Sequence, residues 1–208
     1  MAVFTISRQF GAGGKTLGNM VAETLGYTFA DSSIIQMISK QANVSAKWVR
    51  SFEKEAGGMM SRAISSIVSQ RMVDRILKDE RGYLDEKIYL DYLVLTIVQM
   101  ADEGNSVILG RGSQYILKGH PDVFHILLID DMEDRVRFVM KQYNYSRNRA
   151  ARLVNSEDKR RANLYKKLGK YDYDDPSLYH LVLNMGLFDL QSAHDILCNL
   201  IAKALSRS

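Results

Sequence analysis

The chain alternates short, continuous apolar runs with longer stretches in which apolar residues return every three or four positions. The first run, Ala2 to Ile6, leads into Ser7-Arg8-Gln9-Phe10-Gly11-Ala12-Gly13-Gly14-Lys15-Thr16. An apolar run entering a glycine-rich turn predicts a buried strand. Beyond it Leu17, Met20, Val21 and Leu25 keep helical spacing, and Gly26 stands where the residue that closes a helix belongs. The chain therefore opens strand, glycine loop, helix. Val107-Ile108-Leu109 and the stretch from Val123 to Ile129 are further continuous runs, and Leu181-Val182-Leu183 is a shorter one. Continuous rather than alternating apolarity suits parallel strands covered on both faces.

Between Ser33 and Ala101 the pattern is helical throughout. Ile34, Ile35 and Ile38, then Val44, Trp48, Val49 and Phe52, predict one or two short helices. Gly57-Gly58 interrupts, and Ile64, Ile67, Val68, Met72 and Ile76 form a second stripe. A helix from Leu84 to Met100 is apolar on so much of its circumference that it must be buried, in the core or against another subunit. Helices are also expected over Met132 to Tyr143 and from about Leu190 to Leu205. Strands separated by helices predict an open, mostly parallel α/β sheet. With no repeat, low-complexity tract or Pro-rich linker, residues 1–208 read as one domain.

Composition narrows the class. The 208 residues are 46% hydrophobic and 25% charged, an ordinary globular balance. No apolar run reaches the roughly 20 residues that span a bilayer, and the N-terminus has no basic segment before an apolar one. The expectation is a soluble, cytoplasmic protein with no signal peptide and no membrane partner. A single cysteine, Cys198, excludes an internal disulfide framework and a cysteine-based zinc cluster. The net charge of +4 is too small to argue for nucleic acid, but it is unevenly held. Residues 147–170 carry +7, leaving −3 for the rest, and a local basic cluster calls for a local anionic partner.

The glycine loop carries the strongest chemical signal. A glycine-rich turn between strand and helix exposes backbone N–H groups and a helix N-terminus, which together cradle phosphate. Gly11, Ala12, Gly13 and Gly14 would form the cradle, Lys15 would place a charge on the β/γ-phosphates, and the Thr16 hydroxyl would ligate Mg²⁺. The match to G-x-x-x-x-G-K-[ST] is imperfect, because Gln9 holds the first glycine position. A ligand-free strand–helix turn is the plainer alternative. Its place after the first strand, with Lys-Thr following, favours phosphate binding.

Other residues are read beside it. Gly110-Arg111-Gly112 follows a strand directly, where an arginine faces the ligand crevice of a parallel sheet; a surface turn is the alternative. Asp158-Lys159-Arg160-Arg161 lies at the centre of the basic segment, suited to the charge that develops in phosphoryl transfer or simply to a solvated helix face. Tyr143, Tyr145, Tyr165, Tyr171 and Tyr173 interleave with it, which leaves stacking on bases open. Asp31 would contact an acceptor or cap the helix starting near Ser32. Asp130 and Asp131 mimic a strand-end magnesium ligand, but capping the next helix is the favoured job. The four histidines show no metal-ligand spacing, and no Ser-His-Asp or Cys-His pattern supports hydrolysis.

Taken together, these residues resemble the cytidylate kinase-like family, a branch of the P-loop nucleoside monophosphate kinases. Ile6 to Gly18 is similar to that family's Ser-Arg-x-aromatic-Gly-x-Gly-Gly-basic opening, Phe29-Ala30-Asp31 to its second strand, and Val107 to Gly112 to its third. Asp158 to Tyr165 looks like its lid, and Tyr179 to Asn184 like its last strand. The resemblance implies a P-loop NTPase fold: an open five-stranded parallel sheet flanked by helices. It further implies a helical NMP-binding insertion over about 33–101 and an Arg-rich lid over about 144–172. The implied reaction moves the γ-phosphoryl group of ATP·Mg²⁺ to a nucleoside monophosphate, typically CMP, or a related small acceptor. Gly11, Gly13, Gly14, Lys15 and Thr16 would bind donor phosphates, and Asp31 and Arg111 would face the acceptor. Arg161, with Arg160, would stabilise the transferring charge. Two positions depart from the family. Against a loop Gly-x-x-Gly-x-Gly-Lys-Gly-Thr, the lysine position falls on Gly14 and Lys15 stands one residue late, with Arg8 held in reserve as the cation; and Gly-Arg-Asp is here Gly-Arg-Gly. The competing reading is a non-catalytic nucleotide- or anion-binding module that forms a homodimer through its helical region. Nucleic-acid binding is the weakest of the three.

Overall fold

The computed structural model describes residues 2–47, 49–50, 86–167 and 170–205. Along the chain these form β1 (Val3–Arg8), α1 (Gly14–Leu25), β2 (Thr28–Ala30), α2 (Ser32–Gln41), α3 (Glu86–Glu103), β3 (Ser106–Leu109) and a short α4 (Ser113–Ile116). Then come β4 (Val123–Ile129), α5 (Met132–Tyr143), α6 (Arg147–Lys167), a 3-10 turn at Pro176–Leu178, β5 (Leu181–Asn184) and α7 (Leu190–Leu205). The five strands make one sheet in the order β2-β3-β1-β4-β5, every pairing parallel. This is the open parallel sheet that the apolar runs predict, with the five strands that the resemblance implies. Trp48, Phe52, the Gly57-Gly58 break and the 64–76 stripe lie outside the described residues.

The local reasons are those read from the sequence. β1 sits at the centre of the sheet with both faces covered, so it has no solvent face to make polar. Gly26 ends α1 in a left-handed conformation (φ 67°), and its N–H reaches the carbonyls of Ala22 and Glu23. Spacing alone placed α5 and α7 at the bounds observed. No described helix is long and apolar enough to cross a membrane.

Helices cover the sheet on two sides. Phe4 and Ile6 of β1 pack with Leu17 and Val21 of α1 and with Ala193 and Leu197 of α7. On the opposite side Ile34 and Ile38 of α2 pack with Tyr89, Leu93, Ile97 and Met100 of α3. Leu90, Tyr92 and Val94 of α3 are buried as well. The wide apolar girth of α3, which called for either a core or a second subunit, is therefore covered within the chain. A third, smaller cluster joins Val136 and Val139 of α5 to Ala150 and Val154 of α6. Most of the basic segment is thus one helix, Arg147–Lys167, anchored at its start on α5 and near its end by Tyr165, which is buried in the α2–α3 core.

Candidate functional site

The glycine loop joins β1 to α1 at the middle of the sheet's carboxyl edge, where ligands of open parallel sheets collect. Gly11 has φ +93°, and a Cβ there would stand 2.8 Å from the Arg135 carbonyl oxygen, so the loop rests on α5 at a spacing only glycine permits. Gly13 is left-handed as well. The first intrahelical bond runs from the Leu17 N–H to the Gly13 carbonyl (2.9 Å), which leaves the amides of Gly14, Lys15 and Thr16 ahead of it for an anion. One further tie is absent from the sequence reading. Asp158 of α6 accepts from the Phe10 N–H (3.4 Å) and from Arg135 Nη1 (2.7 Å), and the same Arg135 nitrogen donates to the Phe10 carbonyl (3.2 Å). The lid-like helix is docked on the loop through a carboxylate 148 residues away in sequence.

Beside the loop lies a cavity of about 330 Å³ whose wall holds Arg8, Arg50, Arg111, Arg160 and Arg161 with only two acids, Asp31 and Glu157. The chain leaves β3 through Gly110, Arg111 and Gly112, all left-handed (φ 73°, 56° and 73°). Such a conformation at a non-glycine residue costs on the order of 1 kcal/mol or more and is held by its surroundings. It turns Arg111 into the pocket, and Gly112, which stands where the family has Asp, is the left-handed N-cap of α4.

The remaining expected residues fall as follows. Asp31 takes the N-cap position of α2 but makes no side-chain cap bond. Its carboxylate instead meets Lys15 Nζ at 2.9 Å and lies 3.9 Å from Arg111 Nη1. The expected helix cap is therefore corrected: the carboxylate turns to Lys15 and lines the cavity instead. Lys15 is 71% exposed and turned toward Asp31. Arg161 is held by Asp174 through two hydrogen bonds (2.5 and 3.1 Å) and lies over the rings of Tyr173 and Tyr165 (4.9 and 5.5 Å). Burial pulls its pKa down, but the Asp174 hydrogen bond and charge more than offset this and hold it above the ordinary arginine value. Arg160 sits nearer solvent, paired with Glu157 at 2.7 Å. Arg8 is half-buried, and burial brings its pKa down to about 10, so it stays charged at neutral pH.

The tyrosines do not make one stacking platform. Tyr165 and Tyr173 stack on each other (4.6 Å, 10°) and back Arg161, whereas Tyr143 pairs with Tyr145 elsewhere and Tyr171 is exposed. Behind them Gln114 donates to the hydroxyls of Tyr165 (3.0 Å) and Tyr179 (3.2 Å) and accepts from Ser7 Oγ (3.2 Å). Asp174 and Gln114 were missed in the sequence because nothing local marks them, while Tyr173 was read as a stacking candidate and Tyr179 as part of the last strand.

Asp131 does precede α5, but its side chain makes no cap bond, while Asp130 accepts from the Asp131 N–H at 2.8 Å. The expected carboxylate cap is therefore corrected to a bond between neighbours. Burial pushes the Asp130 carboxyl up, against the Asp131 N–H bond, which holds it down. Among the described residues no group of three His, Cys, Asp or Glu side chains forms a metal site. Mg²⁺ on a P-loop needs no such group, since one hydroxyl, substrate phosphates and waters suffice. Thr16, in the first turn of α1 with no hydrogen bond from its hydroxyl among the described residues, fits that role. A Cys-His contact does exist, with Cys198 Sγ 3.4 Å from His194 Nε2, but burial and Asp195 push the thiol pKa up, away from a reactive thiolate.

A model of the cytidylate kinase-like family matches residues 3–187. The fold is similar to that of an uncharacterized protein from Eubacterium ventriosum (18% identity, TM-score 0.63, covering 97% of this chain and 99% of that one). It is also similar to shikimate kinase from Bacteroides thetaiotaomicron (14% identity, TM-score 0.51, covering 97% and 98%). No curated protein sequence matches the chain.

Proposed function

The chain belongs to the cytidylate kinase-like family, and from that premise we propose that it is an ATP-dependent kinase. It moves a γ-phosphoryl group to a small anionic acceptor, a nucleoside monophosphate of the CMP type in the first instance. The observation that carries the reading is an arginine-rich cavity of about 330 Å³ opening beside the glycine loop. A loop that grips anions next to a cavity that also demands an anion suits a reaction between two anionic substrates.

The amides at the start of α1 hold donor phosphates, and the Thr16 hydroxyl would ligate Mg²⁺, which would offset charge on the phosphate oxygens. Asp31, Arg111 and Lys15 orient the acceptor from the β2–β3 side. Arg161, held rigid by Asp174, faces the charge on the moving group, with Arg160 joining from the rim. The bond from the γ-phosphorus to its bridging oxygen breaks with the electron pair left on ADP, as an acceptor oxygen forms the new bond. A phosphate acceptor is already ionised at neutral pH, so no general base is required. Catalysis by this chain is positioning and electrostatics.

A screen of phosphate acceptors with γ-labelled ATP and Mg²⁺ tests the reading. Label transferred to a nucleoside monophosphate supports it. ATP that raises the melting temperature while no acceptor is labelled would favour the non-catalytic nucleotide-binding module instead.

A further inference from the structure

One side chain accounts for the glycine that opens α1. Gly14 lies outside the left-handed region, so its backbone conformation does not ask for glycine; a Cβ there, however, would stand 2.8 Å from Arg8 Cγ and 3.1 Å from Arg8 Cβ. At the other end of the same side chain, a Cβ on Gly110 would collide with Arg8 Nη1. The Arg8 stem therefore crosses the first residue of the phosphate cradle, and its guanidinium ends over the wall of the acceptor cavity. It bridges the two halves of the site.

The guanidinium makes no hydrogen bond or ion pair among the described residues. After burial, Tyr165 first and Asp31 next favour its charged form, and Arg161 and Arg111 disfavour it. Arg161 is held by Asp174 and Arg111 lies near Asp31, so of these three Arg8 is the pocket cation still open to an anion from outside. Lys15, by contrast, already has a carboxylate partner at 2.9 Å and is mostly exposed.

On the kinase reading, we infer that Arg8 supplies the cation at the γ-phosphoryl group that a P-loop lysine ordinarily supplies, while Lys15 serves the acceptor side with Asp31. A side chain at position 14 and the Arg8 stem compete for one space. A loop can therefore carry its cation at 14 with glycine at 8, or at 8 with glycine at 14. This chain has the second arrangement.

The test is calorimetric titration of the full chain with inorganic tripolyphosphate and with ATP. Arg8→Ala should weaken both by about tenfold to a hundredfold, the loss expected when a charged hydrogen-bond donor is removed. Arg8→Lys, which keeps stem and charge, guards against a folding artefact and should retain most of the affinity. The double exchange Arg8→Gly with Gly14→Lys should recover much of what Arg8→Ala loses. Lys15→Ala should stay within about threefold of wild type, as expected for an exposed, partnered cation. Tripolyphosphate that binds wild type no tighter than the Arg8→Ala variant overturns the assignment, and so does a larger loss in Lys15→Ala. Arg8-dependent binding with no acceptor labelled in any screen leaves the assignment standing and overturns the kinase reading.

Discussion

On one side of β1, Phe4 and Ile6 enter a dry core, whereas on the other Thr5 and Ser7 enter hydrogen-bonded networks. Phe4 is fully buried and stacks on Phe124 (5.6 Å, 15°), with α1 and α7 closing over it. Thr5 and Ser7 are just as inaccessible, yet Thr5 Oγ1 lies 2.7 Å from His125 Nδ1, and Ser7 leads through Gln114 to Tyr165 and Tyr179. The candidate site stands on the polar side. Tyr165 links Gln114 to Arg161, so the network that fills the interior also fixes the pocket wall. Buried polar networks that are fully satisfied specify geometry, while apolar packing chiefly supplies stability. That division predicts that damage on the two sides differs in kind.

The largest effect should come from the dry side. Phe4→Ala removes a buried ring from a tight cluster and should destabilise the fold by about 3–5 kcal/mol. The measurement is the urea midpoint at an unchanged slope. A loss below about 1 kcal/mol would mean that this core is not what holds the sheet, and the contrast would fail.

The polar side should lose rate. Arg161→Ala should leave ATP binding largely intact while lowering turnover on the order of a hundredfold or more, the usual cost of one electrostatic stabiliser. Asp174→Asn should follow in the same direction by a smaller factor, because it loosens the guanidinium without removing it. Unchanged turnover in both variants would make Arg161 a packing residue braced by Tyr165 and Tyr173, and the basic run a solvated helix face.

What was legible in the sequence follows the same division. Strands β1, β3 and β4 announce themselves because strands covered on both faces are largely apolar, β5 by its short apolar run, and α5 and α7 because their buried stripes repeat at helical spacing. The glycine loop is legible because its left-handed turns at Gly11 and Gly13 favour glycine. Residues whose roles depend on distant partners are not. Asp31 and Asp131 stand where capping chemistry expects them, but Lys15 draws the first carboxylate away, and the second leaves its helix end uncapped. Asp158 reads as one member of a lid motif, yet its partners are Phe10 and Arg135. Arg8 is plain in the sequence, while its contact with Gly14 is a fact of packing alone.

The smallest effect sharpens the comparison through pH. His125 is buried on the polar side, where burial first and His180 second lower its pKa from 6.5 to about 4, with a bond to the Leu117 carbonyl offsetting part of this. Between those two values the unfolded chain holds a proton that the folded chain does not. Stability is therefore complete above about pH 6.5 and falls as pH drops toward 4. The contribution lost between pH 7 and pH 5 should be about 2 kcal/mol, less than the cost of Phe4→Ala. His125→Gln cannot titrate and should flatten this part of the curve of urea midpoint against pH, even if its stability at pH 7 is lower. Thr5→Val, which deletes the hydroxyl beside Nδ1 but keeps the ring buried, should retain the slope, because burial rather than that one hydrogen bond is the larger cause. An acid limb of equal steepness in wild type and His125→Gln would mean that the polar side of β1 is no more sensitive to protons than the dry side.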